Sequence, residues 1–222
     1  MPLVVRTWNL FHGNASPPER RGFLREMVEL ITADDPDVVC LQELPVWATG
    51  RIARWSGMEA AWAVGARPLL RSAELGRVLT ELNHGLLRSA FTGEAIAILT
   101  KPGLGGDVRR ERLGPNRALL TQRLLDGTGA EVSCFHVTGG AVAPGQFRRV
   151  AELAAGERVI LAGDANIRGA WIHGYSQPLA ESIDQILVRG LPSTPPVRWP
   201  DERRRLGRRL LSDHAPVELT VG

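Results

Sequence analysis

The stretch Val159-Ile160-Leu161-Ala162-Gly163-Asp164-Ala165-Asn166 sets a short apolar run directly against a polar turn. Near the other end of the chain, Ser212-Asp213-His214-Ala215 leads into Pro216-Val217-Glu218-Leu219, the same pairing in reverse order. Such runs read as strands buried on both faces, and polar residues at their ends are placed for chemistry rather than packing. Two ends of this kind bring carboxylates, an amide and an imidazole into one cleft. That mixture suits metal-assisted attack on a phosphate ester.

The pattern recurs along the chain. Val4-Val5-Arg6-Thr7-Trp8 leads into Asn9, Asp37-Val38-Val39-Cys40-Leu41 into Gln42-Glu43, and Val132-Ser133-Cys134-Phe135 into His136. Ser182 to Val188 carries Asp184 inside a strand-like run. Glu94 to Thr100 and Arg117 to Leu125 also read as strands, with Asp126-Gly127-Thr128-Gly129 as a hairpin turn. Helical spacing of Phe23, Leu24, Met27, Val28, Leu30 and Ile31 predicts a helix over Glu19 to Thr32, entered at Pro17-Pro18 and stopped at Asp34-Asp35-Pro36. Gln146 to Ala155 predicts a second helix; Gly103 to Gly106 and Leu191 to Pro200 read as loops. Strands alternating with helices argue an α/β layered fold, and alternation alone allows either one doubly wound sheet or two packed sheets.

With 222 residues, one domain over 1–222 is the expectation. No stretch is long and apolar enough to span a bilayer, and Met1-Pro2 runs into a strand without a signal region, which leads us to expect a cytoplasmic protein. Cys40 and Cys134 both fall in strand-like runs and read as buried, reduced thiols. The net charge of +3 is too small to identify a nucleic-acid partner. Lys101 is the only lysine among many arginines, a bias that base composition explains as readily as phosphate binding does.

From Trp8-Asn9 to Ser212-Asp213-His214, these motifs stand in the order found in the endonuclease/exonuclease/phosphatase superfamily, which the chain resembles, with type I deoxyribonucleases as the nearest analogy. The resemblance implies a four-layered α/β/β/α sandwich, two mixed sheets packed face to face with helices outside. It implies Mg²⁺, or Mn²⁺ in its place, with Glu43 and Asp213 as metal carboxylates and Asn9 as an amide beside them. Asp164 matches the acid that orients and deprotonates the attacking water, and Asn166 the amide that holds a phosphate oxygen. His214 would pair with Asp184, while His136 matches the histidine that contacts the scissile phosphate. Where many members carry Gly-Asn-Ala this chain has Gly93-Glu94-Ala95, which leaves two readings open: a second carboxylate–imidazole pair, Glu94–His136, or a solvated acid at the start of a strand. Arg117 stands where several members place a cation near the phosphate.

Taken singly, each motif has a plainer reading. A lone Glu43 is a solvated loop acid, and Gly-Asp-x-Asn is an ordinary turn. The run Arg203-Arg204-Arg205 with Arg208-Arg209 reads first as a solvated loop and only second as a grip on a polyanion. Trp8, Trp55 and Trp62 read as packing residues; Trp171 and Trp199 are the candidates for stacking on a base. The segments 136–146 and 167–183 are short for the family, which argues against an elaborate recognition surface. The leading expectation is a phosphodiesterase acting on nucleic acid, with no protein partner implied. A phosphatase or sphingomyelinase-like phospholipase is the alternative, and a catalytically silent binding module is disfavoured because the full residue set is present.

Overall fold

Successive side chains of a strand leave on opposite faces, so a strand apolar at every position must be covered on both sides. The first four residues of strand β3 (Val38–Leu44) form such a run: Val38 and Cys40 enter one core cluster while Val39 and Leu41 enter another. The computed structural model describes residues 2–69, 72–82 and 91–222. It resolves the choice left open by alternation in favour of two sheets.

The first sheet has the order β11 (Val197–Arg198), β14 (Val217–Val221), β1 (Leu3–Asn9), β3, β5 (Glu94–Thr100) and β4 (Glu59–Ala66). The second runs β10 (Asp184–Arg189), β9 (Val159–Asp164), β8 (Glu131–His136), β7 (Arg117–Leu124) and β6 (Gly105–Gly114). Both are mixed, since β1 pairs parallel with β3, and β8 with β9, among antiparallel neighbours. Val5, Cys40, Ile98, Leu120, Cys134, Ile160 and Ile186 fill the space between the sheets. Helices α1 (Leu24–Ile31) and α2 (Ile52–Ser56) cover the outer face of the first sheet through Met27, Val28, Ile31 and Ile52. Helix α3 (Ala73–Leu82) lies between β4 and β5 in the chain, and α4 (Ala143–Leu153) covers the second sheet through Phe147 and Val150. The result is a four-layered sandwich. A small third sheet joins β12 (Arg205–Leu206), β13 (Arg209–Leu211) and β2 (Ala15–Ser16).

Several expectations shift. Helix α1 begins at Leu24 rather than Glu19, because Ala15–Ser16 is held as a strand against Leu210 and Leu211 and the prolines follow at once. Helix α4 starts three residues before Gln146, with Pro144 in its first turn where a missing N–H costs nothing. The loop expected at 103–106 ends in strand β6, whose charged, outward-facing residues hide the apolar alternation. Strand β4 is alanine-rich and gave no signal. Both cysteines are free and buried between the sheets, and burial pushes the Cys40 thiol up. Among the described residues no helix is long and apolar enough to cross a membrane.

Gly163 is required by close approach, since a Cβ there would run into the carbonyl oxygen of Phe135 on the neighbouring strand. Gly163→Ala is therefore expected to destabilise the fold by about 1–3 kcal/mol, read from the midpoint of urea unfolding. An unchanged midpoint would show that β8 and β9 are not packed this tightly.

Candidate active site

Parallel strands end, and antiparallel strands begin, at the same edge of a sheet. Asn9 closes β1, Glu43 lies near the end of β3, His136 closes β8 and Asp164 closes β9. Glu94, Arg117 and Asp184 open the antiparallel strands β5, β7 and β10, and the 212–216 turn leads into β14. His136 and Asp184 both face Asp164 in the strand register. All the sequence-derived site residues therefore gather at one end of the sandwich.

Asp164 Oδ2 is the hub. It accepts from Asn9 Nδ2 at 3.0 Å, and His136 Nε2 and His214 Nε2 stand 3.5 Å and 4.0 Å away. The other oxygen, Oδ1, accepts the Asn166 N–H at 2.8 Å. Asn9 also donates to Glu43 Oε1 at 3.1 Å, and its side-chain Oδ1 accepts the Phe11 N–H. Its amide thus bridges two carboxylates. Glu43 stands 3.9 Å from His136 Nε2, and Asp213 stands 3.9 Å from His214 Nε2, so both acids flank the hub. Asn166 donates to the Val137 carbonyl at 2.8 Å, leaving its second amide hydrogen for another acceptor.

Each imidazole has its own acid. Asp184 accepts from His214 Nδ1 at 2.9 Å; burial opposes the charged imidazole, but Asp184, Asp164 and Asp213 outweigh it and raise His214 to about 9. His136 Nδ1 lies 2.8 Å from Glu94 Oε1, and the same contest between burial and a carboxylate partner raises His136. Burial also opposes ionisation of Glu94, yet His136 and Arg117 hold it down at about 2. Arg117 Nη1 contacts both Glu94 oxygens at 2.8 and 2.9 Å, so this arginine reaches the site through Glu94.

A divalent cation can be judged by the donors present. Asp164, Asp184 and His214 bring ligand atoms within 4.8 Å of one another, but Asp184 is taken up by His214, and Asp164 accepts from Asn9 and the Asn166 N–H. Glu43 and Asp213 fit better. Among the described residues the Glu43 oxygens meet Asn9 at 3.1 Å and two histidines at 3.5 and 3.9 Å, and Asp213 is half exposed. Carboxylate oxygens with unused lone pairs, and no thiolate nearby, suit a hard ion of the Mg²⁺ type.

Backbone strain concentrates here. Glu43, Asn166 and Ser212 hold left-handed φ values of 50°, 49° and 61°. Such conformations cost roughly 1–3 kcal/mol each and persist only where neighbours enforce them. The 212–214 turn is enforced by several groups. Ser212 Oγ donates to Asn9 O at 2.7 Å and accepts from His214 N, while the Trp8 indole donates to His214 O at 2.9 Å.

Arg204 is the residue that the sequence reading missed. It is 3 % exposed, donates to the carbonyls of Leu211 and Ser212 at 3.1 and 2.9 Å, and grips Asp201 with its remaining fork. One member of the arginine run is thus a buried clamp, hidden in the sequence by its charged neighbours. His12 was missed too; its Nε2 stands 3.5 Å from Glu43. Trp199 is not a stacking platform, being buried between the Arg6 and Arg203 guanidinium groups. Trp62 is 40 % exposed rather than a packing residue, while Trp171 stands at the rim of an apolar cavity of about 530 Å³.

Comparison with known proteins adds the following. The family model described as "Endonuclease/Exonuclease/phosphatase family" matches residues 7–214. No curated protein sequence matches the chain. An endonuclease/exonuclease/phosphatase from Beutenbergia cavernae superposes with a TM-score of 0.73 at 17% identity, covering 99% of this chain and 71% of that one. A D. rerio TDP2 humanized by 14 mutations gives a TM-score of 0.66 at 16% identity, over 100% and 99% of the two chains. The human nocturnin catalytic domain with a bound sulfate anion gives 0.67 at 15% identity, over 100% and 93%. Likeness at these identities establishes the fold.

Two outcomes are expected from the geometry. Because Glu94 is held at about 2 instead of the ordinary 4.5, it stabilises the fold above pH 4.5, and that contribution is lost as the pH falls through 2. Glu94→Gln should therefore be less stable than wild type by about 3 kcal/mol at pH 7, with the gap closing in acid; a gap independent of pH would contradict the pairing. Arg204→Met leaves two carbonyls without a donor and should cost about 2–4 kcal/mol in urea unfolding. A change within about 0.5 kcal/mol, the range of ordinary surface substitutions, would remove Arg204 from this role.

Proposed function

The chain belongs to the endonuclease/exonuclease/phosphatase family, a superfamily of metal-dependent phosphoesterases, and we propose that it hydrolyses phosphodiester bonds by attack of water and acts on nucleic acid. The reading rests on one observation above others: a buried carboxylate, Asp164, held between an amide and two imidazoles that each carry their own acid.

Asp164 orients a water molecule through Oδ2 and takes its proton as the oxygen attacks phosphorus. Asn9 keeps that oxygen aimed by donating to it, and Asn166 offers its free amide hydrogen to a phosphoryl oxygen. His214, charged across neutral pH, places a hydrogen-bond donor against the negative charge that grows on the five-coordinate phosphorus. His136, paired through Nδ1 with Glu94 and turning Nε2 toward the same centre, is the group that gives a proton to the departing ester oxygen. Glu43 and Asp213 would hold a divalent cation, which would supply charge neutralisation for the phosphate.

Asp164→Asn keeps the shape of the side chain and removes its basicity. It is expected to lower Mg²⁺-dependent release of p-nitrophenol from bis-p-nitrophenyl phosphate by about 10²–10⁴-fold with little change in melting temperature. Retained turnover would overturn the base assignment. Faster hydrolysis of the mono-p-nitrophenyl ester than of the diester would favour a phosphatase, and chelation should silence the wild type.

A further inference from the structure

A second cavity, of about 430 Å³, opens beside His214 and Asp184 and continues outward to Arg168 and Arg198. Its size falls within the range of small-ligand pockets, about 300–1,000 Å³. Both arginines hang from backbone that the reacting centre itself fixes. Arg168 follows Asn166 by two residues, and Arg198 closes β11, whose partner Val217 lies just beyond His214.

The charges of these arginines are only loosely matched. The nearest acids stand 3.8 Å away in both cases, beyond hydrogen-bond reach: Glu181 Oε2 for Arg168 and Asp201 Oδ1 for Arg198. Glu181 is 93 % exposed, and Asp201 already accepts from Arg204 at 2.7 and 3.2 Å. Among the described residues, Arg168 also donates to the Glu181 carbonyl at 3.3 Å. By contrast, Arg6, Arg21, Arg25 and Arg109 hold carboxylates at 2.6–2.7 Å. Of the remaining acids lining the cavity, Asp184 is committed to His214, and Asp213 belongs to the cation site proposed above.

We propose that this cavity is a subsite for a second phosphate group of the substrate, gripped by Arg168 and Arg198 while the neighbouring ester is cut. Guanidinium forks suit such a group because they donate two parallel hydrogen bonds to its oxygens. The proposal rests on the phosphodiesterase reading and narrows it: a substrate with one phosphate fills the reacting centre alone, whereas one with a second phosphate nearby fills both.

The test is calorimetric titration of the full chain with Ca²⁺ in place of Mg²⁺, comparing thymidine 5′-monophosphate with thymidine 3′,5′-bisphosphate. A parallel arm compares inositol monophosphate with inositol bisphosphate, to separate a nucleotide source from a polyol one. The wild type is expected to prefer a bisphosphate by about tenfold, and Arg168→Gln/Arg198→Gln to lose that preference while retaining the wild-type melting temperature. Equal affinity for mono- and bisphosphates in the wild type, in both arms, would overturn the subsite. So would a preference that survives in the double variant. Turnover of bis-p-nitrophenyl phosphate by the wild type is scored separately: its absence alongside an arginine-dependent preference sinks the catalytic reading and leaves the subsite standing.

Discussion

Two carboxylates from different sheets, Glu43 and Asp164, are brought to one point, and the Asn9 amide is the donor that both share. Asp164 is almost wholly buried, and an ionised carboxylate in that setting is tolerable only with donors on its oxygens. Asn9 supplies one, the Asn166 backbone another, and the two imidazoles set their Nε2 atoms just outside hydrogen-bond range. The sandwich architecture serves this constraint. Sheets packed face to face, with β1, β3, β8 and β9 all ending at the same edge, deliver groups separated by more than a hundred residues to within a few ångströms.

The groups that carry charge were legible because they interrupt apolar runs. An acid after Val-Val-Cys-Leu or Val-Ile-Leu-Ala stands out, and so does an imidazole before Pro-Val-Glu-Leu. The Glu94–His136 pair was legible as one of two readings, from a glutamate standing where an asparagine is more usual. What connects these groups to the scaffold was not. Arg117 reads as a cation near phosphate until the packing of β7 across the sandwich from β5 sets its guanidinium against Glu94. Arg204 is indistinguishable in sequence from Arg203 and Arg205, and only the hairpin of β12 and β13 decides which of the three faces inward. Edge strands escape for a related reason: β6 exposes alternate charged residues and β4 is built of alanines, so neither shows the apolar contrast by which central strands are recognised.

Strain and support are placed together. Left-handed backbone at Glu43, Asn166 and Ser212 turns side chains out of the strand pleat and toward the common centre. Each turn is tied to an element far away in sequence: Glu43 to Asn9, Asn166 to Val137, and Ser212 to Asn9. Unfavourable local geometry held by long-range hydrogen bonds is how a site becomes rigid before its ligand arrives, and rigidity is what electrostatic stabilisation of a transition state requires.

The two histidines show how similar parts acquire different duties. Each uses Nδ1 to meet a buried acid and turns Nε2 toward Asp164. Their acids differ in what stands behind them. Arg117 backs Glu94 and helps keep it ionised, whereas Asp184 has the Asp164 charge nearby, and burial raises it. Both imidazoles are raised: burial and Arg117 oppose the charge on His136 but Glu94 and Asp164 outweigh them, while three carboxylates surround His214 and outweigh its burial. An imidazole that grips its proton to about 9 is a poor donor at neutral pH and a good fixed cation. What distinguishes the two imidazoles is the surroundings of their acids: Arg117 stands behind Glu94, whereas Asp184 lies beside the Asp164 carboxylate.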